Sequence, residues 1–265
     1  MNKWLFVLLS GVMLSACQSN PESAGDEIGL STQYSSEAQA NTPAAEINTQ
    51  LGAGYIGNGR YDRALVKLNK AINLDPNYAL AHNFLGVLYG RLERPQSAYK
   101  EFERSVQLAP NDSTILNNYA IFLCEQGKYQ QARERFKKVL NNPLYINRAG
   151  AYQSAGLCAV KNNNIELAEK LYRKSLELDP GKINSYLGLA KILYKKGEYQ
   201  YAWNYFKRFD KNSIQSPDSL WLGINILNNL SEPDYDLLAS YQLQLKSKFP
   251  DSKETQWYYQ GKQDY

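Results

Sequence analysis

"LGVLYGRLERPQSAYKEFERSVQLAP", residues 85–110, decides the fold, because residues 51–76 read "LGAGYIGNGRYDRALVKLNKAINLDP" and the two stretches align without a gap. Leu51-Gly52 and Tyr55 answer to Leu85-Gly86 and Tyr89, and Ala64, Leu68, Ala71 and Pro76 answer to Ala98, Phe102, Ser105 and Pro110. Outward from this pair, the alanine slot continues through Ala132, Ala168, Ala202 and Ala239, at spacings of 34, 36, 34 and 37. The large slot four residues on holds Phe136, Tyr172, Phe206 and Leu243. A period of this length must be read before any local assignment, since it implies a stack of similar units.

Each unit carries two helical patterns. The small residue lets its two helices approach closely, and Leu, Phe or Tyr fills the space beside it. The proline of "LDP" at 74–76 and 178–180 stops the second helix, because proline has no backbone N–H to donate. Turn signals such as Gly57-Asn58-Gly59 and Gly197 lie between the helices. This arrangement resembles the tetratricopeptide repeat. The resemblance implies an all-α superhelix of six helix pairs with a concave groove, over about 45–78, 79–112, 113–148, 149–182, 183–216 and a looser copy at 217–250. Residues 251–265 remain as a carboxy-terminal cap or tail, in which Tyr258 and Tyr259 beside Trp257 would cover the exposed apolar face of the last repeat. Tyr55, Tyr89, Tyr152, Tyr172 and Tyr186 fall in repeat slots and need no further role.

The amino terminus carries a different message. Lys3 is followed by an apolar run too short to span a bilayer as a helix, then by Leu14-Ser15-Ala16-Cys17. This resembles the lipobox of bacterial lipoproteins, which implies removal of residues 1–16 and acylation of Cys17. Each buried methylene contributes about 0.8 kcal/mol, so several chains tether a protein firmly. Gln18 stands where an aspartate would retain a lipoprotein in the inner membrane, which favours the periplasmic face of the outer membrane. Residues 17–43 are rich in Ser, Ala, Asn, Gln and Gly and read as a disordered tether with a reach of roughly 25 to 30 Å.

Chemistry is poorly represented. The formal charge of +4 is small and scattered, which argues against a nucleic-acid partner. The single histidine, His82, occupies a helix-packing slot, and a metal site would need companions it lacks. Glu166 and Glu169 lie three apart, a common spacing on solvated helices. No G-x-S-x-G, Walker or GxGxxG run is read in the chain, so no catalytic residue, metal or cofactor is expected.

Finer words narrow the reading. "NNYAIFLCEQGKYQQARERF" (117–136), "AGLCAVKNNNIELAEKLYRKSLELDP" (155–180) and "YQLQLKSKFPDSKETQWYYQGK" (241–262), together with the lipobox, are similar to the PilF/PilW pilotin lipoproteins of type IV pilus biogenesis. That resemblance implies a monomeric, non-enzymatic outer-membrane lipoprotein that binds the pilus secretin and promotes its localisation and multimer assembly. The rival readings are an adaptor for peptidoglycan hydrolases, a component of outer-membrane protein assembly, or a helical enzyme. Transferring the groove-facing positions of such repeats onto this chain gives Thr49, Ala53, Ile56, Asn83, Val87, Asn117 and Ile121, expected on a solvent-facing wall. The Lys/Asn/Arg clamp that grips a terminal carboxylate in chaperone-binding members is not visible there.

Cys124 and Cys158 fall at nearly equivalent depth in the first helices of the third and fourth repeats. Neighbouring first helices pack side by side, so a disulfide is possible in an oxidising compartment, against the alternative of two buried thiols.

Overall fold

The computed structural model describes residues 38–265, apart from 212, 263 and 264; the expected signal sequence, Cys17 and the expected tether as far as residue 37 lie outside the described residues. Among the described residues there are thirteen helices and no strand. Twelve form six antiparallel pairs: α1 (Pro43–Gly57) with α2 (Tyr61–Leu74), α3 (Ala79–Arg91) with α4 (Pro95–Leu108), α5 (Ser113–Glu125) with α6 (Tyr129–Leu140), α7 (Arg148–Lys161) with α8 (Ile165–Leu178), α9 (Ile183–Lys195) with α10 (Tyr199–Asp210), and α11 (Pro217–Asn228) with α12 (Tyr235–Lys248). A short α13 (Lys253–Tyr259) follows.

The slots found in the sequence are the contacts that hold each pair. A Cβ at Gly52 would stand 2.6 Å from Leu68 Cγ, one at Gly86 3.0 Å from the Phe102 ring, and one at Gly156 2.9 Å from the Tyr172 ring. The glycines therefore set the helix spacing. Ala64, Leu68, Ala98, Phe102, Ala132, Ala168, Ala202 and Phe206 are all fully buried. Where serine fills the slot of Ala71, its hydroxyl returns to the start of the first helix: Ser105 Oγ donates to the Ala79 carbonyl at 2.7 Å and Ser175 Oγ to the Ala149 carbonyl at 2.9 Å.

Reversal within a pair uses the left-handed region five times in succession, at Gly59 (φ 66°), Glu93 (55°), Gly127 (71°), Asn163 (56°) and Gly197 (77°). Glycine adopts that geometry freely and Asn tolerates it, whereas Glu93 carries a Cβ cost there.

Two boundaries differ from expectation. The folded body begins before residue 43: Ala38 and Ala40 pack against the core, the Asn41 backbone N–H and side-chain amide donate to the Asp75 carboxylate at 2.7 and 3.0 Å, and Thr42 caps α1. Polar composition concealed this, because a helix cap and an amide–carboxylate clasp use the same residue types as a linker. In the sixth repeat, Ala239 and Leu243 stand outside the slots, Leu243 at 63% exposure, and Tyr241 and Leu245 are buried instead. A Cβ at Gly223 would meet both Phe206 and Tyr241 at 2.9 Å, so Tyr241 is the large residue of this pair. The six residues 229–234 between α11 and α12, including Pro233, replace the tight left-handed reversal and shift the register.

The carboxy-terminal stretch closes the stack. Thr255 Oγ1 lies 2.7 Å from the Phe249 carbonyl, the Trp257 ring lies 6.2 Å from Trp221, and the Tyr265 hydroxyl donates to Asp218 at 2.6 Å. Trp257 and Tyr258 pack on the core cluster, while Tyr259 points outward.

Candidate functional site

The inner faces of α1, α3 and α5 are built from one repeated stripe. Thr49, Asn83 and Asn117 share a slot in the period; Ala53, Val87 and Ile121 follow four residues later, and Ile56, Gly90 and Cys124 seven residues later. Residues at these separations lie on one side of a helix. All seven positions expected on an open groove wall are buried, none above 6% exposure. This corrects the solvent-facing expectation. Ala53, Ile56, Val87 and Ile121 join one core cluster with Leu80, Phe84, Leu88 and Ile115, because consecutive first helices press their inner faces against each other.

Polar atoms on this stripe are unevenly satisfied. Thr49 Oγ1 donates to the Ala45 carbonyl at 2.9 Å. Both side-chain amide atoms of Asn83, Oδ1 of Asn117, both amide atoms of Asn118 and Oγ1 of Thr114 are buried without a hydrogen-bond partner. Asn83, Asn117 and Asn118 are each 1% exposed or less. An unpaired buried polar group costs about 1 to 3 kcal/mol, so such a cluster within two adjacent helices calls for a partner, a buried water or a ligand group. Asn118 and Thr114 were not among the expected site residues. The available signal was "ILNNYAIFLC", residues 115–124, in which two amides interrupt a run otherwise fit for a core.

Beside Asn118 lies a cavity of about 20 Å³, lined by Val87, Gly90, Arg91, Phe102, Asn118, Ile121, Phe122 and Glu125. It has room for roughly one water molecule. Glu125 is open to solvent at its rim but crowded by protein on its inner side; desolvation pushes its carboxyl above the ordinary range, opposed by Arg91 and Lys161. Phe102 supports the cavity wall, stacked on Tyr119 at 5.0 Å between ring centroids and tilted against Phe122 at 5.2 Å.

Cys124 and Cys158 are joined in a disulfide with Cα atoms 5.7 Å apart, which locks α5 to α7 at the end of the same stripe. His82 is 8% exposed, and both of its ring nitrogens face oxygen: Nδ1 lies 2.7 Å from Glu101 and Nε2 3.0 Å from the Pro76 carbonyl. It bridges α3, α4 and the preceding loop. Glu169 is held below the ordinary carboxylate range by its hydrogen bond to Lys196 and then by Arg173, across α8 and the α9–α10 turn.

The hexapeptide Gly52–Gly57 has the glycine spacing of a dinucleotide fingerprint, which corrects the reading that no GxGxxG run occurs. It lies inside α1 with no strand before it, and the fingerprint requires a strand-to-helix turn. Among the described residues no group of three His, Cys, Asp or Glu side chains is gathered to hold a metal, and no helix is long and apolar enough to cross a membrane.

The tetratricopeptide repeat family matches residues 79–112 and 149–182 and, through related descriptions of the repeat, residues 54–93 and 101–134. The type IV pilus assembly protein PilF of Pseudomonas aeruginosa is 32% identical over 250 residues, covering 94% of this chain and 95% of its own. The solved structure of the Pseudomonas aeruginosa protein superposes with a TM-score of 0.75 at 33% identity, over 83% of this chain and 98% of that one. The structure of PilW, described as a widely conserved type IV pilus biogenesis factor, superposes at 0.72 with 28% identity, over 81% and 98%. With its six stacked helix pairs and its likeness to PilF along nearly the whole length of both proteins, the chain belongs to the PilF/PilW family of tetratricopeptide-repeat proteins of type IV pilus biogenesis.

Proposed function

We propose that this protein is a pilotin: a non-enzymatic lipoprotein, acylated at Cys17 and held at the periplasmic face of the outer membrane, that binds the pilus secretin and promotes its localisation and assembly. The lipobox spelling of Leu14–Cys17 supports the anchor, and membership of a pilus-biogenesis family supports the setting. The observation that carries the binding role is the cluster of unpartnered polar atoms on α3 and α5, both amide atoms of Asn83 and Asn118 and Oδ1 of Asn117. An extended peptide segment that parted α3 and α5 would supply the alternating N–H and C=O groups that these buried amides lack. Val87 and Ile121 pack in the core between these helices and hold the amides in register. Anchoring raises the local concentration of the bound secretin subunit beside the membrane, which favours ring formation.

Because the inner-face positions are buried, a charge at Ile56 or Val87 would unfold the repeat instead of testing the site. The informative substitutions are Asn83→Leu and Asn117→Leu. Removing an unpaired amide should leave thermal stability equal or higher, while heat-resistant secretin multimers are lost from cells. Normal multimers from stable, membrane-bound variants would sink this placement of the site. Recovery of peptidoglycan hydrolases, and no secretin, with the wild-type protein would replace the pilotin reading with the adaptor one.

A further inference from the structure

The loop between α6 and α7, "NNPLYIN" at 141–147, is built to display two apolar side chains. Asn142 fixes it: its amide donates to Ser113 Oγ at 2.9 Å, and its Oδ1 accepts from the Leu144 N–H at 3.0 Å. Tyr145 is buried against Leu116, Val139 and Ala151. With the middle residue pinned inside, its two neighbours are thrust outward, Leu144 to 84% exposure and Ile146 to 73%. A soluble surface has no use for such a pair presented on an anchored loop.

Charge and position indicate what covers it. From Arg135 to Lys161 the chain carries Arg135, Lys137, Lys138, Arg148 and Lys161 and no Asp or Glu. Lys137 and Lys138 are exposed in the last turn of α6, next to the loop. The side of the stack that holds this loop is also where the preceding chain enters. Asn41 is clasped by Asp75 in the α2–α3 loop, Arg104 of α4 donates to Asn77 of that same loop at 2.6 Å, and Asn142 reaches Ser113 at the start of α5. Ile214, 87% exposed between α10 and α11, lies on this side as well.

We infer that this edge docks on an anionic phospholipid surface, with Leu144 and Ile146 entering the headgroup–acyl boundary and the flanking lysines and Arg148 meeting lipid phosphates. Apolar insertion beside basic residues is the pattern of interfacial attachment. The inference rests on the reading that Cys17 carries the anchor, since an edge of two apolar residues adds orientation to a tether and would bind weakly without one. Its consequence is a fixed posture: the stack lies with its inter-pair loops toward the membrane and its opposite edge, with the Gly59 and Gly127 turns, toward the periplasm.

The test places an indole at either edge of the full chain, by Leu144→Trp or by Gln126→Trp, and reconstitutes each variant into vesicles of phosphatidylethanolamine and phosphatidylglycerol bearing brominated acyl chains. The fluorescence of each is read as the difference from the wild-type protein, which removes the signal of the native tryptophans. Both sites are exposed, so the fold should tolerate either substitution. The expected result is a blue-shifted signal from Leu144→Trp, quenched several-fold more than that from Gln126→Trp, and a several-fold loss of that quenching when Ile146→Asp is added to Leu144→Trp. An indole at position 144 as water-exposed as one at position 126 overturns the proposal. So does a shift that needs added secretin and no lipid, which would make the loop a protein contact. The mass of the mature amino-terminal peptide reports the anchor separately. Acylation with the position-144 indole in water keeps the anchor and loses the edge, and no acylation with that indole quenched does the reverse.

Discussion

Repeats one to five and repeat six solve the same packing problem differently. In the first five, a Gly or Ala on the first helix faces a large residue sixteen positions later, and a single left-handed residue reverses the chain between them. In the sixth, the separation is eighteen positions, from Gly223 to Tyr241, and no left-handed residue occurs between α11 and α12. The lesson is that the tight turn sets the register. Lengthen it by the residues of 229–234, and the slot moves along the helix although the alanine and leucine of the older pattern, Ala239 and Leu243, still stand in the sequence.

The largest effect should come from the residue at which the two modes meet. The Phe206 ring is fully buried against Trp203, Phe209 and Tyr241, and Gly223 is shaped around it. Phe206→Ala should cost about 3 to 5 kcal/mol in denaturant unfolding. A loss under about 1 kcal/mol, the range of surface substitutions, would mean that repeats five and six are not packed as one core.

Next comes the disulfide, which ties the regular repeats together across a sequence separation of 34. Its removal by Cys124→Ala with Cys158→Ala should lower stability by about 3 to 4 kcal/mol on the chain-entropy account. Intact-mass analysis of the alkylated wild-type protein under non-reducing conditions should find no free thiol at either position.

Tyr78 tests the other end of the stack at high pH. Burial, followed by the carboxylates of Glu46, Asp112 and Asp75, raises its pKa from 10.0 to about 12. A raised pKa means that the folded state holds the proton more tightly, so the contribution is complete below pH 10 and is lost as pH rises through 12. Wild-type stability should therefore fall more steeply than that of Tyr78→Phe between those limits, by about 1 to 2 kcal/mol once solvent screening of the carboxylates is allowed for. Parallel curves would place Tyr78 in water.

A smaller effect of opposite sign is expected at the turn. Glu93, at φ 55°, stands where Gly59, Gly127 and Gly197 stand in other repeats. Glu93→Gly should raise stability by about 1 kcal/mol, the relief of a left-handed Cβ less the entropy of glycine. The same change between α11 and α12 should do nothing useful, because that loop makes no such turn.

Smallest of all is Leu243→Ala. The side chain is 63% exposed, so its loss should fall within about 0.5 kcal/mol of zero. Tyr241→Ala, which empties a site 3% exposed and breaks a 2.6 Å hydrogen bond to Asp210, should cost several times more. Equal effects would restore the unshifted register.

The period by itself determined the six helix pairs, their approximate bounds, the small and large residues at the crossings of the first five pairs, and the absence of strands among the described residues. These follow from contacts between residues a fixed short distance apart in the chain, which any sequence of the period must repeat. The approach of Cys124 to Cys158 was legible for a related reason, as positions at nearly equivalent depth on neighbouring first helices. Burial of Asn83, Asn117 and Asn118, the rim position of Glu125, the clasp of Asn41 by Asp75 and the outward set of Leu144 and Ile146 were decided by tertiary structure alone. Each depends on how far successive pairs rotate against one another, and that small rotation accumulates along the stack without being written at any one position.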